Sequence, residues 1–198
     1  WIQDWAKSQA ISVKVDPVGN LILKKPATSG LENRKGVILQ AHIDMVPQAN
    51  ADTQHDFTRD PIQAYIDGEW VRARGTTLGA DNGIGAAACL AVLADNTVQH
   101  GPLEVLLTVD EEAGMGGAFG LQAGWLKGDI LLNTDSEQDA EAYMGCAGGV
   151  DANIHFHCQR EAIPVGMQAF SLQVKGLRGG HSGVNIHQDR GNARSEEH

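Results

Sequence analysis

Ile2, Trp5, Ala6 and Ala10 fall on one side of a 3.6-residue repeat, which predicts the end of an amphipathic helix over residues 1–10. Ile11, Val13 and Val15 then alternate with polar residues, Asp16-Pro17-Val18-Gly19-Asn20 has turn chemistry, and Leu21-Ile22-Leu23 resumes the apolar run. That pattern predicts a hairpin. Gly36-Val37-Ile38-Leu39-Gln40-Ala41 predicts a second strand, with His42-Ile43-Asp44 at its C-terminal end. Positions i and i+2 of a strand share a face, so His42 and Asp44 are expected to point together. Residues 47–74 are polar and irregular, with a turn at Asp67-Gly68 between Ala64-Tyr65-Ile66 and Trp70-Val71-Arg72. Loops of that length in a compact domain tend to be functional. An alanine-rich helix is expected from just after Asp81 to about Asp95, a short helix over residues 119–125, and a strand over residues 129–135.

The chain is organised around Leu103-Glu104-Val105-Leu106-Leu107-Thr108-Val109, a short apolar run that reads as a core strand. It ends in Asp110-Glu111-Glu112 and then a glycine-rich loop. Carboxylates there sit where open α/β sheets bind ligands, beyond the C-terminal ends of the strands. On extended backbone the neighbours Glu111 and Glu112 would face opposite ways. Each acid also has a plainer reading. Asp110-Glu111-Glu112 could be a solvated turn, Asp81 an ordinary helix N-cap, and His42 a satisfied strand-end histidine. What weighs against all three is repetition: His42/Asp44, Glu111/Glu112 and Asp135 each close a predicted strand, and Asp81 opens a helix.

Beyond Met144 the character changes. Gly145-Cys146-Ala147-Gly148-Gly149 reads as a hinge, and alternating apolar positions over residues 150–156 and 170–174 suggest two antiparallel strands of another sheet. The expected division is 1–147 for an α/β domain, its central sheet flanked by helices, and 148–198 for the start of a smaller α+β domain. The absence of an initiating Met and of a recognisable end suggests that both are incomplete. A net charge of -10 argues against nucleic acid, since phosphate binding needs a basic face. No apolar run reaches membrane-spanning length. Three cysteines, with no zinc-knuckle spacing, fit a reducing cytoplasm and mostly buried thiols. The glycines around Asp81 do not match a dinucleotide fingerprint.

Nitrogen and oxygen donors without thiolate suit zinc, with manganese or cobalt as alternatives, in an open catalytic site. One His with several carboxylates from distant positions fits a pair of metal ions, with a further Glu as general base. His42-Ile43-Asp44-Met45-Val46-Pro47, Gly79-Ala80-Asp81-Asn82-Gly83, Asp110-Glu111-Glu112-Ala113-Gly114 and Asn133-Thr134-Asp135-Ser136-Glu137 resemble the successive motifs of the aminoacylase-type dizinc metallopeptidases. Gly179-Gly180-His181-Ser182-Gly183 is similar to that family's lid motif. The resemblance covers nearly the whole chain and is strongest to the family's bacterial Xaa-His dipeptidase branch. It implies two divalent ions, with His42 a terminal ligand, Asp44 orienting the His42 ring and Asp81 bridging. It further implies Glu111 as general base, Glu112 as ligand of the ion opposite to that of Asp135, and His181 binding substrate and oxyanion. It also implies a cis peptide at Asp81-Asn82, a homodimer at full length, and one more terminal His near the end of a longer chain, for which nothing here matches. These 198 residues alone are therefore expected to be inactive. The implied activity is hydrolysis of Xaa-His dipeptides. The alternatives are a related tripeptidase or N-acyl amino acid deacylase, and a peptide-binding pseudoenzyme, against which a Glu beside the ligand Glu112 argues.

Overall fold

The computed structural model describes residues 1–136, 138, 140–146, 148, 153–174, 176, 177, 187, 188 and 190. The chain divides into two compact units, Trp1–Asp139 and Ala140–His198.

In the first unit the elements run α1 (Ile2–Ser8), β1 (Ser12–Val15), β2 (Leu21–Lys25), β3 (Val37–His42), β4 (Ala64–Asp67), β5 (Trp70–Ala73), α2 (Ala80–Ala94), β6 (Leu103–Thr108), α3 (Gly116–Gly120) and β7 (Ile130–Asn133). β1, β2, β6, β3 and β7 form one five-stranded sheet in that order, and β4 and β5 pair as a separate ribbon. β1 with β2 and β2 with β6 are antiparallel, whereas β6, β3 and β7 are parallel. The three parallel strands therefore finish at one edge, with His42 opposite Thr108 and Gln40 opposite Asn133.

β6 is buried along its whole length, as its continuous apolar run predicts. Period-2 alternation sends Leu103, Val105 and Leu107 to the face covered by α1 and α2, where they join Leu21, Leu23, Ala41, Ala86, Cys89 and Leu93. Ala86, Cys89 and Leu93 recur at helical spacing, which is how α2 lies against β3 and β6. On the other face Leu106 meets Ile22 and Ile38 under Leu121, Trp125 and Leu126. Glu104 shares that face and is also buried. Its carboxylate pairs with Lys24 and accepts the N–H groups of Lys127 and Gly128, both at 2.7 Å.

Several expectations are corrected. The helix expected over residues 119–125 forms earlier, as α3, because Leu121 is already extended and packs under the sheet instead. Among the described residues of the second unit no strand forms. Ile154, Phe156, Phe170 and Leu172 are exposed there, so the alternating pattern finds no partner face to bury against. Only Cys89 is a buried thiol; Cys146 and Cys158 are exposed.

Candidate active site

β3 carries His42 to the parallel edge of the sheet and buries it to 1% exposure. Its Nδ1 lies 3.0 Å from the backbone carbonyl of Asp44, and its Nε2 lies 3.0 Å from Asp81 Oδ1 and 3.5 Å from Asp135 Oδ1. If Nδ1 carries the proton and donates to that carbonyl, Nε2 is left as the lone-pair nitrogen facing the two carboxylates.

Asp81 enters from the start of α2, where it and Asn82 are non-helical and the peptide between them is cis, as the resemblance implies. The plain N-cap reading is answered here: no side-chain cap hydrogen bond forms, and the Asp81 carboxylate turns to His42 instead. Gly85, one turn into α2, permits this approach. A Cβ there would lie 2.0 Å from Asn82 Oδ1 and 2.5 Å from Thr134 Oγ1. Asp135 follows β7, and its Oδ1 accepts a hydrogen bond from the buried Asn82 amide.

The acids after β6 are not placed by strand alternation. Asp110 adopts a left-handed conformation, with φ 59°, and the chain enters a turn at Glu111 and Glu112. The Asp44 carboxylate holds that turn, its Oδ1 accepting the Glu111 N–H and its Oδ2 the Glu112 N–H, each at 3.1 Å. Asp44 thus bears on the His42 ring chiefly through its carbonyl, since its carboxylate is 3.5 Å from Nδ1. The expectation that the two side chains point together gives way to this division, because Asp44 lies beyond the end of β3.

Two sets of side chains bring their donor atoms within 4.8 Å of one another: His42 with Asp81 and Asp135, and His42 with Glu111 and Glu112. His181 and Glu137 lie outside the described residues. Among the described residues, the ion pairs made by Asp44, Asp81 and Asp135 all run to His42. Negative charge is therefore in excess, and its effects are specific. Burial, reinforced by Asp81 and Glu111, raises the Asp135 carboxyl above its ordinary range against the pull of His42. Burial followed by the Asp81 charge does the same to Glu112. Burial alone would depress the His42 imidazole, but Asp135, Asp81, the Asp44 backbone and Glu111 together raise it. Asp44 is lowered, because the Glu111 and Glu112 N–H groups outweigh its burial. Crowded oxygens around one imidazole are a donor set that divalent cations would neutralise, so these residues fit a metal centre.

A cavity of about 600 Å3 opens elsewhere, lined by Lys24, Arg34, Glu104 and Asp129. It sits at the opposite end of the parallel strands and takes no part in this chemistry. Two sets of contacts escape a reading of the sequence, the hydrogen bond of Asn82 to Asp135 and those of Asn20 to Val109 and Gly117. Asn82 stands next to Asp81 and Asn20 closes a turn, and a buried amide in either setting signals itself only through its distant partners.

The chain is 66% identical over 193 residues to the cytosol non-specific dipeptidase of Escherichia coli (strain K12), a match that takes in 98% of the chain and 40% of that protein. It resembles the crystal structure of an aminoacylhistidine dipeptidase from Vibrio alginolyticus at 61% identity and a TM-score of 0.71, over 97% of the chain and 39% of that one. A tripeptidase from Staphylococcus aureus, at 23% identity and a TM-score of 0.57 over 70% of the chain and 37% of its own, shares the fold. The chain thus spans about 40% of the length of that Escherichia coli dipeptidase. The model of the peptidase family M20/M25/M40 matches residues 38–192, the stretch that begins in β3 and contains His42, Asp81, the Glu111–Glu112 turn and Asp135. The chain belongs to that family.

Proposed function

We propose that the protein, at the full length of its relatives, is a two-metal dipeptidase acting on Xaa-His dipeptides. The observation that carries the reading is the meeting of His42, Asp81 and Asp135 in one set, and of His42 with Glu111 and Glu112 in another, at the end of three parallel strands. His42, Asp81, Glu112 and Asp135 would hold the ions, with Asp81 serving both and Glu112 and Asp135 as further ligands. Zinc fits the mixed nitrogen and oxygen donors, and manganese or cobalt would be accepted by the same set. When bound, such ions polarise a scissile carbonyl and acidify the attacking water.

The chain's own residues do the rest. Glu111 takes the proton of the attacking water on its carboxylate and delivers it to the leaving amine. Asp44 fixes the Glu111–Glu112 turn through two backbone N–H groups, so the base is presented at a set distance from the ligands. His181 would help bind the substrate and stabilise the oxyanion. The names of the two relatives, one a non-specific and the other an aminoacylhistidine dipeptidase, support a dipeptide substrate and bracket its breadth. Carboxylates placed beside a base, rather than ligands alone, favour this over a peptide-binding pseudoenzyme.

The test is turnover by metal-loaded protein at that full length, offered Xaa-His dipeptides, other dipeptides, a tripeptide and an N-acetyl amino acid. Saturable cleavage of Xaa-His dipeptides, abolished by chelator and restored by zinc or manganese, is the expected result. Preference for the tripeptide or the N-acetyl substrate would replace the proposal with that activity.

A further inference from the structure

Asn20 is fully buried at the end of the β1–β2 turn, far in sequence from any of the acids. Its Oδ1 accepts the Val109 N–H at 3.2 Å, and its Nδ2 donates to the Gly117 carbonyl at 2.8 Å and to Asp16 Oδ2 at 2.7 Å. Asp16, itself 5% exposed, accepts the N–H groups of Val18, Gly19 and Asn20 on its other oxygen. Val109 and Gly117 are the two feet of the loop that carries Glu111 and Glu112, and they also bond to each other, Gly117 N–H to Val109 O at 3.0 Å. The fit is close. A Cβ on Gly117 would lie 2.4 Å from Asn20 Oδ1, and one on Gly120 would lie 2.6 Å from Val18.

We propose that Asn20 is a positioning residue for the Glu111–Glu112 turn, its amide clasping both feet of loop 109–117 while the Asp44 carboxylate holds the middle. This rests on the function proposed above, in which that turn presents a base and a metal ligand. Asn20 touches neither substrate nor metal and acts only through the loop. Removing its amide orphans a part-buried N–H at Val109 and a buried carbonyl at Gly117. Asp44 is then the side chain that still holds the loop backbone. A shift of about 1 Å in a reacting group is enough to cost on the order of 100-fold in rate.

A plainer role, tightening the β1–β2 turn through Asp16, is separable. Asn20→Ala removes both functions of the amide. In the exchanged pair Asp16→Asn with Asn20→Asp, residue 16 can donate to residue 20 and the turn is closed again, but a carboxylate oxygen now faces the Gly117 carbonyl. Thermal midpoint, kcat, KM, bound metal and amide hydrogen exchange over residues 109–117 are measured for both. Asn20→Ala is expected to lower kcat about 10- to 100-fold with KM within about threefold. It is also expected to speed exchange at Glu111 and Glu112 at least about tenfold, with β6 still protected. The exchanged pair should recover the part of the midpoint that the β1–β2 turn supplies without recovering kcat. Should Asn20→Ala fail to fold, Asn20→Ser, which keeps a hydroxyl, replaces it with the same expectations. Unchanged exchange over 109–117, or kcat restored by the exchanged pair, would overturn the clasp. The exchange arm needs no substrate, so a protein that cleaves no dipeptide would refute the proposed activity while the clasp is still tested.

Discussion

At the scale of single residues, each acid is defined by what else it touches. Glu111 is the one assigned chemistry without ligation, so Glu111→Gln should lower kcat by about 10²–10⁴ while bound metal stays near the wild-type level. Rate assays beside metal analysis on the same sample check this. Asp44→Asn keeps one acceptor oxygen but sets an amide N–H against a backbone N–H of the turn. It should slow turnover about 10-fold or more with metal retained. If it stripped metal instead, Asp44 would belong among the ligands. His42, Glu112 and Asp135 were legible as candidates because metal-capable side chains recur at strand ends, and Asp81 because it opens the next helix; both patterns are local. The second role of Asp44 was not, because its partners are backbone N–H groups after β6, distant in sequence. The side-chain role of Asn82 was missed for a related reason: an Asn after an Asp reads as cap or turn chemistry until Asp135 arrives to accept its hydrogen bond.

At the scale of elements, apolar patterning predicted the β1–β2 hairpin, β3, α2, β6 and β7 in position, and it failed where a segment is short or lacks a partner face. Of the β4–β5 ribbon, only its Asp67-Gly68 turn was read, within a stretch otherwise taken as irregular. α3 is five residues long, too brief for a helical repeat to show. Gly85 decides how α2 begins beside the site, and a Cβ there would meet the backbone oxygen of Thr134 at 2.8 Å as well as Asn82. Gly85→Ala should therefore push Asn82 and Thr134 apart from α2 and weaken metal retention, read as faster loss of metal to a chelator. Glu104 is the element-scale surprise, a buried carboxylate in the middle of the core strand. Burial would raise its pKa, but Lys24 and the N–H groups of Lys127 and Gly128 together hold it below the ordinary carboxylate range. A carboxyl lowered in the folded state stabilises above its unfolded pKa, and that contribution is lost as pH falls through the folded value. Glu104→Gln should cost about 1–3 kcal/mol at pH 7. Urea midpoints should show that deficit shrinking as pH falls below the ordinary carboxylate range toward the folded value, where the wild-type carboxylate takes up its proton.

At the scale of the whole molecule, a net charge of -10 and a cluster of acids around one buried imidazole would make bound cations part of the energetics. Ions that bind only the folded state stabilise it in proportion to the logarithm of their concentration over Kd, so zinc or manganese should raise the thermal midpoint of stripped protein and calcium should do so less. Among the described residues no helix is long and apolar enough to cross a membrane. The central claim is that oxygen and nitrogen donors at the end of the parallel strands hold a pair of ions while Glu111 does the proton chemistry. The most direct measurement is the number of metal ions bound per chain in wild type, Asp81→Ala and Glu111→Ala, in protein of the relatives' full length. The account predicts about two ions in wild type and in Glu111→Ala, and loss of both in Asp81→Ala, since the bridging carboxylate serves each ion. An emptied Glu111→Ala beside a full Asp81→Ala would contradict it.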